Sequence, residues 1–389
     1  MQDEETREKL IAQYFNWDAQ IEHTKLIKEE LNQFQIQAAL EAFGYLRKEL
    51  GENFPRETYE SSHHLKHYFA NRAPWTRAWF VWLADGLREI KSEVLIKKLK
   101  SNTPGDCEEA ITILEVALKC ARSNFSVELE AESLNDNVKK KKPDLTITNH
   151  TTKEHVLVEI TRLTKDSNSK RFDELHSYLF FTAAGKNIDL RFAGRIYRML
   201  SESHYLAIRK EIEVKLTQCL ESKSFYKVSH EGIIELGFAP SANSNLFDEW
   251  IKLKGFDANV MIFPQESVLK RLSAKIIHKS QQLSSQVPSV LVIRSTDFWM
   301  DEKDFESVVN GLEETIYRCP QILAVVIITS EMGPLEKKII SNKFSFFVTK
   351  TERHAYSTKS LLIFNRFNEA RISLNSLINL YNAFETVTE

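Results

Sequence analysis

The stretch Lys142-Pro143-Asp144-Leu145-Thr146-Ile147, followed by Val156-Leu157-Val158-Glu159-Ile160-Thr161-Arg162, decides how this chain of 389 residues is read. Both halves alternate apolar and polar residues with the period of two that marks a strand lying on a sheet. In the second half Val156, Val158 and Ile160 share one face, and Leu157, Glu159 and Thr161 share the other. In the first half Leu145 and Ile147 oppose Asp144 and Thr146. If the two strands pair as a hairpin with their apolar sets together, Asp144 and Glu159 lie on the opposite face and converge near a sheet end. Two carboxylates so placed repel each other, and a divalent cation between them keeps both ionised. Oxygen donors with water suit Mg2+ or Mn2+ better than zinc.

The surroundings extend this pattern. A helical run from Glu108 to Arg122 precedes a strand at Phe125–Leu129, so the hairpin stands in the order helix, strand, strand, strand. Further on come a helix from Val268 to Leu283 and an apolar strand, Val290–Ile293. A helix, Asp304–Tyr317, and a second apolar strand, Ile322–Ile328, follow. Uniformly apolar strands separated by helices predict a central sheet covered on both faces. Segments near Phe344–Thr349 and Ser360–Phe364 read as edge strands. Residues 163 to 265 read as an inserted α+β segment: a polar stretch from Thr164 to Glu174, a strand at Ile188–Tyr197, a helix at Tyr205–Leu220 and strand pieces in Phe225–Phe238. Within it Arg191, Arg195, Tyr197 and Arg198 are candidates for substrate choice.

Residues 1 to 100 read as helical. One amphipathic stripe runs from Ile21 to Leu50, and a second helix starts at Pro74 and continues toward Lys100. Trp75, Trp79 and Trp82 lie along the second. Such a row could stack bases, but tryptophans at helical spacing are expected in the core. His63, His64 and His67 form a cluster that lacks a nearby fourth ligand for a metal.

Composition narrows the function classes. Lys plus Arg number 52 against 54 acidic residues, a net charge of −2, so binding to a polyanion requires a local patch. Four scattered cysteines, Cys107, Cys120, Cys219 and Cys319, form no C-x-x-C pair. The acidic start MQDEETREKL and strand-sized apolar runs lead to the expectation of a cytoplasmic protein with no membrane contact. There is no P-loop, no dinucleotide-binding glycine motif, no H-E-x-x-H and no G-x-S-x-G.

The helix with Glu115, the strand "FSVELE", the strand "KKPDLTI" and the strand "VLVEITR" together resemble the PD-(D/E)xK nuclease superfamily, in its poorly characterised bacterial branches. The resemblance covers about residues 106 to 162, and 267 to 295 as the next core helix and strand. It implies an α/β fold of restriction-endonuclease type: a mixed central sheet flanked by helices, spanning 101–389, with the all-helical region 1–100 as a partner-binding or dimerisation module. It also implies roles. Glu115 corresponds to the helix carboxylate, Asp144 to the central metal ligand and Glu159 to the second ligand, holding Mg2+ or Mn2+. The family lysine, which orients or activates the attacking water, falls on Thr161. Threonine can position a water but carries no positive charge. Either Lys275 or Lys279 of the later helix supplies the cation, or the site binds without cutting.

Charge supports a polyanionic partner. Between Lys139 and Arg171 stand nine basic residues against four acidic ones, and Lys270, Arg271, Lys275 and Lys279 follow without an intervening acid. Lys139, Lys140, Lys141, Lys142, Arg162 and Arg271 are the candidate nucleic-acid contacts. The function expected is therefore a metal-dependent nuclease acting on nucleic acid, DNA ahead of RNA, and a homo-oligomer through the helical N-terminal region. The alternative is a catalytically inactive nuclease-fold protein serving as a nucleic-acid-binding or assembly component.

Overall fold

The computed structural model describes residues 2–27, 31–61, 63–103, 105–129, 143–163, 167–185, 189–264, 267–283, 286–295, 305–332, 339–340, 345–349 and 356–385. They form two compact units, one made of Met1–Leu163 with Arg271–Glu389 and the other of Thr164–Lys270.

The first unit opens with α1 (Gln2–Tyr14), α2 (Trp17–Leu26), α3 (Gln33–Leu50), α4 (Phe54–Glu60), α5 (Lys66–Ala70), α6 (Pro74–Ile90), α7 (Glu93–Leu99) and α8 (Asp106–Ala121). The stripe expected to run unbroken from Ile21 to Leu50 is interrupted. Asn32 caps α3 by accepting from the Gln35 backbone while the Gln35 side chain accepts from the Asn32 N–H, a reciprocal box that starts a new helix. The helix expected from Pro74 to Lys100 is likewise two: Lys91 takes a left-handed conformation (φ 48°) and Ser92 caps α7. Trp79 is fully buried and Trp82 half-buried, which places this part of the row in the core.

Strands β1 (Phe125–Leu129), β2 (Leu145–Asn149) and β3 (His155–Leu163) follow α8. The second unit then contributes α9 (Ser167–Gly185), β4 (Leu190–Ile196), α10 (Glu202–Ser222), β5 (Tyr226–His230), β6 (Ile234–Pro240), α11 (Asn245–Lys254) and β7 (Met261–Ile262). The chain returns through α12 (Val268–Ser280), β8 (Ser289–Ser295), α13 (Phe305–Tyr317), β9 (Ala324–Met332), β10 (Ile339–Ile340), β11 (Ser345–Thr349), β12 (Tyr356–Phe364) and α14 (Leu374–Glu385).

The eight-stranded sheet of the first unit has the order β1-β2-β3-β8-β9-β12-β11-β10. Its pairs β3–β8 and β8–β9 are parallel and the others antiparallel, so the fold is α/β with a mixed sheet. The segment read as an edge strand around Ser360–Phe364 is interior, because β12 pairs with β9 on one side and β11 on the other. Helix α8 is buried on all sides from Ala110 to Cys120. It lies in one continuous apolar core with Phe43 and Leu83 of the helical region and with Val156, Val158, Val290 and Val326 of the sheet. The helical first 100 residues therefore belong to the same compact unit as the sheet, and do not stand as a region of their own.

Glu154 ties the β2–β3 turn to the start of α14. Its carboxylate accepts from the Ser373 N–H at 2.9 Å and from the hydroxyls of Ser373 and Ser376 at 2.5 Å, with Thr152 at 2.9 Å. Burial alone would raise its pKa, but these donors outweigh it and hold the group at about 2. A carboxylate depressed from 4.5 stabilises the fold above that pH, and the contribution is lost as pH falls toward 2. Glu154→Gln is expected to cost about 1–2 kcal/mol at pH 7, the worth of charge-assisted bonds at a half-exposed site. Thermal unfolding of the two proteins should converge near pH 2, and a gap that persists there would refute the assignment.

The second unit has its own four-stranded sheet, β5-β6-β4-β7. Its β4–β7 pair is parallel and the rest antiparallel. One face buries Leu236 and Phe238 against Ile212 and Leu216 of α10, and the other packs Phe247 and Trp250 of α11. Gly237 is required there: a Cβ would stand 2.5 Å from the Trp250 ring. The polar stretch expected from Thr164 to Glu174 is helical from Ser167 on, as α9, its first three residues lying outside the described ones. Arg191 is held by Asp248 at 2.8 Å, and Tyr197 donates to Glu235 at 3.1 Å. Among the described residues no helix is long and apolar enough to cross a membrane.

Candidate active site

The β2–β3 hairpin has the register Leu145↔Val158, Thr146↔Leu157 and Ile147↔Val156, with the apolar residues paired. Continued by one residue, it sets Asp144 opposite Glu159. Continued by two, it brings Ile160 to Pro143, which has no N–H to offer the ladder. Leu157 donates its N–H to Pro288 on the β8 side, so by alternation the Ile160 N–H points toward β2. The Asp144 carboxylate takes that N–H at 2.7 Å. The proline thus interrupts the ladder, and the aspartate beside it satisfies the exposed donor. Asp144 is held in place immediately before β2, 6% exposed.

Glu159 is 4% exposed. A carboxylate so far from water requires a partner. Lys279 supplies it, with Nζ 2.5 Å from Oε1. Helix α12 buries Leu272 and Ile276, and Lys275 and Lys279 flank that stripe one turn apart. Lys275 is half-buried and makes no ion pair among the described residues. Burial, and then the charge of Lys279, pull its pKa down. The helix ends at Ser280, so Gln282 and Leu283 lie beyond it. Thr161 is half-buried and shares the Glu159 face by strand alternation. Thr146, also on that face, has a buried hydroxyl with no hydrogen-bond partner among the described residues.

Glu115 is elsewhere. It is 2% exposed on α8, and Arg294 of β8 meets its Oε2 at 3.1 Å. Arg294 is in register with Arg162, three residues from Glu159, and so stands on the opposite face of the sheet from it. The structure does not bring Glu115 together with Asp144 and Glu159, and no group of three metal-ligating side chains occurs among the described residues. The helix position resembled a metal ligand because a buried glutamate and a liganding glutamate look alike in sequence; its partner is 179 residues away.

The same face of the sheet explains Arg162. It is ion-paired with Glu108, which also meets His64 at 3.3 Å. Burial and the charges of Arg162 and Arg294 push His64 down to about 4, so it is neutral at pH 7. His63 is buried and accepts from the Leu65 N–H, while His67 is exposed. Among the described residues the three histidines do not come together as a group of metal-ligating side chains. Arg271 lies half-buried on α12. Lys139, Lys140, Lys141 and Lys142 fall outside the described residues.

Two hard carboxylates and an unpartnered hydroxyl are compatible with Mg2+, which commonly uses one or two carboxylates and keeps several waters. No protein-family model matches the chain, and no curated protein sequence matches it.

Proposed function

We propose that the chain is a metal-dependent nuclease hydrolysing phosphodiester bonds of nucleic acid, DNA ahead of RNA, on a restriction-endonuclease-like core. The observation that carries this reading is the placement of Lys279 on Glu159, opposite Asp144, where position 161 offers only threonine. Asp144 and Glu159 would hold Mg2+ or Mn2+, which when bound lowers the pKa of water and offsets phosphoryl charge. The Ile160 N–H fixes the Asp144 carboxylate, and Lys279 fixes that of Glu159. Thr161 and Thr146 offer hydroxyls that position water on the same face. Water attacks phosphorus in line, the P–O bond to the leaving nucleotide breaks, and the cationic flank of α12 offsets the charge on the phosphoryl oxygens.

Purified protein is to be incubated with plasmid, linear duplex, single-stranded DNA and RNA in Mg2+, Mn2+ or EDTA. The expected result is metal-dependent cleavage that Lys279→Met reduces about 100-fold, the scale of losing one preorganised charge at a reacting phosphoryl group. Absence of cleavage on every substrate, with no metal uptake by calorimetry, would establish the second reading, a nuclease-fold protein that binds without cutting. Thr161 and the engagement of Glu115 by Arg294 favour that alternative.

A further inference from the structure

The helical part of the first unit buries a positive charge that no carboxylate among the described residues neutralises. Arg77 of α6 is 1% exposed, and its hydrogen bonds are to neutral groups: Nη2 meets His23 Nδ1 at 3.2 Å and Nη1 meets Thr76 Oγ1 at 3.4 Å. Its Nε is buried with no partner, and no carboxylate pairs with it among the described residues. Its face lies against Phe43, 5.6 Å from the ring centroid. The neighbourhood adds charge of the same sign, since Arg72 is close enough to lower the pKa of both Arg77 and His23. Gln20, one turn before His23 on α2, is buried as well, and its Oε1 has no partner although its amide donates to Phe69 O at 2.9 Å.

A guanidinium withdrawn from water without an anion is destabilising, and a bound anion would complete it. Arg77 is buried, whereas His23 and Arg72 are half-buried, Arg72 donating to Gln13 O at 3.3 Å and lying over the Tyr14 ring. We propose that Arg77, His23 and Arg72 form an anion site that takes a small oxyanion, a phosphate or carboxylate group, away from the Asp144–Glu159 site. The planar guanidinium matches the paired oxygens of such a group. His23 now faces the guanidinium through an unprotonated nitrogen, and can become a donor once an anion arrives. The unpartnered Gln20 oxygen is suited to a protonated phosphate oxygen or a water carried in with the ligand. This site does not depend on the nuclease reading.

The test is calorimetry and thermal unfolding of the full chain in sodium phosphate, in sodium acetate and in sodium chloride at equal ionic strength. Saturable binding with a rise in Tm is expected in phosphate or acetate beyond that in chloride, and the stronger of the two names the class. Arg77→Met is expected to weaken this binding at least tenfold, and to unfold no earlier than the parent in chloride, because it removes a buried uncompensated charge. Arg72→Gln is expected to weaken binding while leaving the chloride Tm in place, and carries the test if Arg77→Met does not fold. Lys275→Met, at the other cationic flank, should leave the anion response intact. The proposal is overturned if neither anion acts beyond chloride, or if Arg77→Met and Arg72→Gln both keep the response. It is equally overturned if Lys275→Met alone removes it.

Discussion

Asp144→Asn should lower metal-dependent cleavage at least about 1000-fold, equivalent to about 4 kcal/mol of transition-state stabilisation, while the protein remains folded. The asparagine amide keeps an oxygen that can accept from the Ile160 N–H, the bond that Asp144 makes at 2.7 Å. What it removes is the negative charge opposite Glu159. Asp144→Ala removes both, and leaves a buried N–H unsatisfied at a cost of about 1–3 kcal/mol. The two substitutions therefore part on stability and agree on activity. Cleavage rates and urea unfolding should be measured for each. If Asp144→Asn cleaves within tenfold of the parent and Asp144→Ala is merely less stable, Asp144 is a strand-end cap and the nuclease reading fails.

The hairpin that carries Asp144 and Glu159 was legible because local alternation and pairing give the same answer. Leu145, Ile147, Val156, Val158 and Ile160 must share the buried face, and a slip of one residue would expose all of them. Strands β8 and β9 were legible for a similar reason, as apolar runs that only a doubly covered sheet can accommodate. The break between α2 and α3 was present in the letters as Asn32-x-x-Gln35, and the longer hydrophobic stripe concealed it. What could not be read depends on distant partners. Lys279 and Glu159 are 120 residues apart, and the stripe on α12 shows a basic flank without showing which lysine turns inward. The interior place of β12 depends on the chain doubling back between β9 and β11, and nothing within Tyr356–Phe364 encodes that order. The charge of Arg77 was hidden most fully, since a basic residue in the first turns of an amphipathic helix normally faces water.

Glu115 separates the expectation carried by resemblance from the arrangement in the fold, and its pair with Arg294 predicts a large loss of stability when it is broken. Both side chains are withdrawn from solvent, 2% and 12% exposed, so removing one leaves the other as a buried charge. Arg294→Met should cost about 3–5 kcal/mol, measured by urea unfolding. The cost is partly the contact of Arg294 with Thr112 at 3.3 Å, and mainly the stranded carboxylate. Glu115→Leu combined with Arg294→Met should recover most of that loss, because an apolar pair of similar volume suits the face that holds Val290 and Val292. Catalysis gives the opposite contrast. With Glu115 on the α8 face and Glu159 on the α12 face of the sheet, Glu115→Gln should leave the rate of the folded protein within about threefold of the parent, an effect too small for a lost metal ligand. A loss of 100-fold or more at unchanged stability would return Glu115 to the metal, and would require the α8 carboxylate to exchange Arg294 for the cation when substrate binds.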